Sequence, residues 1–165
     1  MKRSSTIILQ IVIVVLGIVA LTFLLWEPHI EGRNVNATLF QIYFNDPFLA
    51  WAYTGSIAFF IGLYQVFKLL GYIGQNKIFS LDAVKALTTI KYCAISLVGS
   101  LVAAEAYLFI VQRSKDDIAG GVFVGLLLIF VFGVTAITAG VFEELLQSAV
   151  ETKSGTGLDA NRKNP

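Results

Sequence analysis

Phe79-Ser-Leu-Asp-Ala-Val-Lys-Ala-Leu-Thr-Thr-Ile-Lys91 is the one long polar-patterned stretch between hydrophobic blocks, and the rest of the chain is organised around it. Ser80 stands where an N-cap would, and Asp82 in the first turn suits the positive end of a helix dipole. Asp82, Lys85 and Thr89 recur at helical spacing on one face, with Val84, Leu87 and Ile90 on the other. From Tyr92 the polarity stops. The stretch reads as the cytoplasmic opening of a helix that then enters a bilayer.

Working outward, the composition agrees. The 165 residues give room for one domain, and only 14% of them are charged while 56% are hydrophobic. A soluble domain carries roughly 25% charged residues, and the mean hydropathy of +0.76 is correspondingly high. A net charge of +1 gives no basis for direct nucleic-acid binding. The single cysteine, Cys93, excludes an internal disulfide.

The apolar blocks set the spans at about 7–26, 48–70, 90–111 and 120–142, each near the ~20 residues that a crossing helix needs. Ile7–Trp26 is uncharged and ends on an interfacial tryptophan. A cleaved signal peptide is the rival reading, but the apolar run is too long and no small-x-small site follows it. Glu27–Pro47 is a polar connection with a formal sequon at Asn36-Ala37-Thr38 and an apolar patch over 39–44 that suits a membrane surface. Gly71–Phe79 reads as a turn-forming link, and Arg113–Ala119 as a tight hairpin. Past 142 the last helix continues with an apolar stripe of Phe142, Leu145, Leu146, Ala149 and Val150 among Glu143, Glu144, Gln147 and Glu151. The polar tail 152–165 is expected to be disordered, leaving 1–151 as the four-span domain.

Orientation follows from Lys and Arg. With the N-terminus inside, Lys2, Arg3, Lys68, Lys77, Lys85, Lys91, Lys153, Arg162 and Lys163 face the cytoplasm. Arg33, Arg113 and Lys115 face out, which accounts for all twelve basic residues. That bias places both termini in the cytoplasm.

Motifs for chemistry are missing. His29 is the only histidine, and there is no phosphate loop, nucleophile elbow or zinc-protease signature. No enzyme activity and no cofactor are expected. Small residues four apart, Ala58/Gly62, Ser96/Ser100/Ala104, Gly121/Gly125 and Ala136/Gly140, are expected to let helix backbones approach closely; a glycine-lined pore is the alternative. Gln65 is expected to bond across helices. Glu105 is the one ionisable group deep in a span. It is a neutral structural carboxyl bonded to a neighbour such as Tyr53 or Thr22, a side chain reaching the outer interface, or a functional carrier. Lys91 is expected near the level of Glu143, and Lys85 near Glu144, Gln147 and Glu151.

Phe59-Phe-Ile-Gly-Leu-Tyr-Gln-Val-Phe-Lys-Leu-Leu-Gly-Tyr-Ile73, then Asn76-Lys-Ile-Phe-Ser80, Val84-Lys-Ala-Leu87 and Ile90-Lys-Tyr-Cys-Ala94 form a specific central block. It resembles a bacterial family of small four-span membrane proteins, domain of unknown function twenty-nine seventy-five, with similarity from about Ile7 to Leu158. The resemblance implies a bacterial inner-membrane protein with no assigned activity. Members are often encoded beside a helix-turn-helix regulator, which suggests a membrane-linked regulatory role. Relatives tend to end in an acidic-Asn-Asp-Leu-Thr-apolar stretch, and here Ser154-Gly-Thr-Gly-Leu158 leads into a polar tail instead.

The expected architecture is therefore an all-α, polytopic four-helix transmembrane bundle with both termini cytoplasmic. Helices three and four extend beyond the bilayer as a paired platform. Its expected partners are the lipid bilayer and a cytoplasmic protein such as a helix-turn-helix regulator, with room for a homo-oligomer. A transporter or channel subunit using Glu105 is the alternative.

Overall fold

The structure, a computed structural model, describes residues 3–30, 47–112 and 119–162. Among these it is all-α: α1 (Arg3–Ile30), α2 (Pro47–Gly74), α3 (Leu81–Tyr107) and α4 (Ala119–Arg162), with a π-helical turn at Leu108–Gln112 after α3. The sequon, the apolar patch of the first connection and the hairpin residues 113–118 lie outside the described residues.

Each helix contains a segment long and apolar enough to cross a membrane: Ser4–Trp26, Trp51–Gly74, Leu81–Ile110 and Ala119–Lys153. The β-branched run Ile11-Val-Ile-Val-Val15 is a poor helix former in water. In hydrocarbon only a helix lets a single segment satisfy its own backbone, so it folds as one. The outer surface is apolar: Phe23, Phe130 and Ile137 are 69%, 70% and 71% exposed. Exposure of that kind on every helix fits a surface facing lipid tails.

The start of α3 matches the sequence reading. Ser80 is extended (φ −133, ψ 152) and its side chain accepts from the Ala83 amide, with Asp82 in the first turn. Ala83, Ala86, Leu87 and Ile90 are buried, whereas Asp82 and Lys85 are exposed.

The end of α2 does not match. The span expected to stop at Leu70 stays helical to Gly74. What ends it is Asn76 at φ 56. Lys77 donates to the Tyr72 carbonyl (2.8 Å) and Asn76 to that of Ile73 (3.1 Å), which together make a Schellman cap. Gly71 and Gly74 are contact glycines rather than turn glycines: a Cβ on Gly74 would lie 3.1 Å from the Thr6 methyl, and one on Gly71 3.4 Å from Gln10 Nε2.

Packing follows chain order. α1 rests on α2, α2 on α3, and α3 on α4 most extensively, while the other helix pairs touch only marginally. The core lies toward the α2–α3 turn, where Ala83, Leu87 and Ile90 meet Ala139 and Leu146, flanked by Val66, Leu69 and Tyr72. Small residues keep these helices close where lipid supplies no hydrophobic drive.

The α3–α4 register sets where the paired platform ends. Glu105 lies against Gly125, Lys91 against Gly140, and Leu87 in the cluster with Leu146. Continued to its start, that register sets Leu81 level with Val150. Beyond that point α4 runs on with no α3 beside it, so the extension is one helix. It reaches Arg162 in place of the expected disordered tail, because lengthening an existing helix adds one bond per residue without a new nucleus. The expected apolar stripe also divides: Leu146 is buried, whereas Phe142 and Leu145 are 57% and 62% exposed.

Candidate functional site

Two polar constellations stand between α3 and α4. The first joins Thr88, Lys91 and Glu143. Lys91 Nζ lies 2.5 Å from Glu143 Oε2, and Thr88 Oγ1 donates to Glu143 Oε1 at 2.6 Å. Thr88 and Lys91 are three residues apart, so α3 presents both on one face. Gly140 leaves room for the lysine stem; a Cβ there would sit 3.4 Å from Lys91 Cδ. The ammonium also lies 5.1 Å from the Tyr92 ring centroid. Glu143 Oε2 has no aligned hydrogen-bond donor, and the lysine charge answers it instead. Thr88 is the member that sequence reasoning missed, although its spacing from Lys91 is a readable signal.

Lys85 does not join this set. It is exposed, as is Glu144, and among the described residues it makes no ion pair. Gln147 donates instead along its own helix to Glu151 at 3.1 Å. The reason is angular: six residues turn a helix through about 600°, which sets Lys85 roughly 120° away from Lys91.

The second constellation is Glu105 with Gly125, at the other end of the α3–α4 contact. Glu105 is only 9% exposed. Its carboxyl lies over the Gly125 backbone so closely that a Cβ there would fall on Oε1 and come within 2.7 Å of the carboxyl carbon. Oε2 has no hydrogen-bond partner among the described residues. The expected partners are engaged elsewhere: Tyr53 donates to the Leu24 carbonyl (2.6 Å) and Thr22 to that of Ile18 (2.8 Å). The π-turn starts three residues beyond Glu105.

Polar side chains also fasten the first two helices to their neighbours. Gln10, rather than Gln65, reaches across, donating to the Phe67 carbonyl at 3.2 Å. Trp51 Nε1 donates to the Ser100 carbonyl at 3.1 Å. Among the described residues no group of three or more His, Cys, Asp or Glu is placed to hold a metal.

Four lipid-length helices, an apolar exterior and polar side chains turned toward other helices define a multi-pass integral membrane protein. The chain belongs to the family described as "Protein of unknown function (DUF2975)", which matches residues 34–157. That match begins after the end of α1. A relative from Bacillus subtilis (strain 168), "Uncharacterized membrane protein YoaS", is 38% identical over 161 residues, covering 96% of this chain and 99% of its own length. No solved structure matches.

Proposed function

We propose that the protein is a non-enzymatic component of the bacterial cytoplasmic membrane. In this reading both termini are inside, and a cytoplasmic protein, such as a regulator, binds the end that carries the α2–α3 turn and the α4 extension. The observation that carries the reading is the polar surface at this end: Gln147, Glu151 and Lys153 of α4 are exposed, beside the equally exposed Asp82 and Lys85 of α3, and past the level of Leu81 α4 runs on as a helix. An exposed polar surface of this kind is available to another protein. The Thr88–Lys91–Glu143 contact at its base holds α4 in register on α3 and so aims the extension.

Topology and binding are tested separately. In a Cys93→Ser background, a cysteine at Ser114 reacts with a membrane-impermeant thiol reagent in intact cells and one at Ser154 does not. The reverse labelling pattern overturns the orientation. Photocrosslinking from Gln147 in cells captures a defined cytoplasmic protein, and crosslinking from outward-facing Ile137 does not.

A second reading, a transporter or channel subunit, is supported by one observation, the buried Glu105 carboxyl with its open Oε2. A Glu105→Gln variant that folds normally but abolishes proton or solute flux in vesicles would favour that reading.

A further inference from the structure

Between the four helices, at the Trp51 end, lies a cleft of about 310 Å³. Ala20 of α1, Ala52 and Phe60 of α2, Leu101 and Ala104 of α3, and Leu128 of α4 are among its walls. Most of its walls are apolar, and two of its polar side chains are turned to the backbone: Ser56 Oγ donates to the Tyr53 carbonyl (2.7 Å), and the Trp51 indole donates to the Ser100 carbonyl. A cleft with such walls does not hold ordered water, which needs two to four polar partners.

Chain-order packing explains why the cleft exists. α2 and α3 form its back, α1 and α4 flank it, and those two flanks touch each other at most marginally. The front is therefore continuous with the lipid-facing surface. Lengthwise the cleft runs on α2 from Trp51 to Phe60, a rise of about 14 Å at 1.5 Å per residue, which is half of the roughly 30 Å hydrocarbon core. Trp51, the residue type that favours the membrane–water boundary, stands at one end of it. Its volume is at the small end for ligand clefts, which suits one slender chain rather than a ring system.

We infer that this cleft is a binding site for one acyl chain of a membrane phospholipid, entering from the leaflet at the Trp51 end with the headgroup left at the boundary. It is a discrete site, distinct from the annular lipid that covers the outer surface, and it does not depend on the proposed partner.

The test uses the full chain reconstituted in phosphatidylethanolamine vesicles containing a small fraction of phosphatidylglycerol with a diazirine midway along one chain. Adducts are mapped by mass spectrometry after illumination. Adducts at Phe60, Leu101 and Leu128 saturate at low probe fraction, while those at Ile57 and Ile137, which are 60% and 71% exposed, rise in proportion to probe. Filling the cleft by Ala104→Leu, and separately by Ala52→Leu, lowers the cleft adducts about tenfold, equivalent to ~1.4 kcal/mol, and leaves the outer adducts unchanged. Either variant that retains helicity and a monodisperse elution profile suffices. Cleft adducts that track the outer ones at every probe fraction overturn the inference. So do cleft adducts indifferent to filling, or diazirine crosslinks at these residues that join two copies of the chain.

Discussion

Replacing Gly125 by alanine sets two effects of opposite sign against each other. In an unobstructed helix Gly→Ala is favourable by up to about 1 kcal/mol, because alanine gives up less backbone entropy. At Gly125 the added methyl would meet the Glu105 carboxyl carbon at 2.7 Å and its Cγ at 3.4 Å, so the side chain has to leave its place. Overpacking of this kind costs about 1–3 kcal/mol; set against the full propensity gain of about 1 kcal/mol, it predicts a net loss of up to about 2 kcal/mol. The clash is with the end of a flexible side chain, and removing that side chain reverses the sign: in a Glu105→Ala background, Gly125→Ala is neutral or stabilising. Gly133, where an added methyl would meet nothing within 4 Å, is the control, and Gly133→Ala gains up to about 1 kcal/mol in either background. The assay is reversible unfolding in mixed micelles, read by helicity, for all four members of the cycle. The interaction energy separates the two contributions, and contacting residues give about 0.5–3 kcal/mol. A Gly125→Ala loss of equal size with and without the carboxyl would refute the reasoning, since the methyl would then be meeting something else.

Other contacts give independent tests. Lys91→Glu lowers folded yield in the membrane, and the double exchange with Glu143→Lys recovers part of it; strictly additive losses would mean that the two groups do not interact. Thr88→Val removes the donor to Glu143 Oε1 while keeping the shape, and lowers stability by about 1.5–3 kcal/mol because the acceptor is charged, as measured by unfolding in mixed micelles. Tyr53→Phe deletes the 2.6 Å bond to the Leu24 carbonyl and costs about 0.6 kcal/mol in the same assay, and at most about 1.7, the average and the upper end for polar contacts between membrane helices.

The features legible in the sequence are those that depend on the chain's own period. Four apolar blocks, the Ser80 cap with Asp82 behind it, and the level of Lys91 against Glu143 all follow from counting along helices. The roles of Gly71 and Gly74 do not, because a glycine required by a neighbour's side chain looks the same in sequence as one required by a turn. Here Gln10 and Thr6 decide the matter, from a different helix. Glu105 shows the same limit: its depth and isolation are readable, but its place over Gly125 depends on which face of α4 turns toward α3. Lys85 escapes for a different reason, since matching depth alone ignores the turn of the helix between it and Lys91. The extension past 152 is hidden because composition speaks for an isolated peptide and this segment grows from a helix already formed.

The order in which these helices pack has a consequence for how the protein is made. Each segment that leaves the ribosome after α1 finds one of its packing partners already in the bilayer, the segment inserted just before it. No helix waits for a distant part of the chain, and few long loops have to close before contacts form. The most extensive contact, α3 with α4, is completed last. The half of the molecule that carries both charged constellations is thus secured after α1 and α2 have met, and α1 rests mainly on α2.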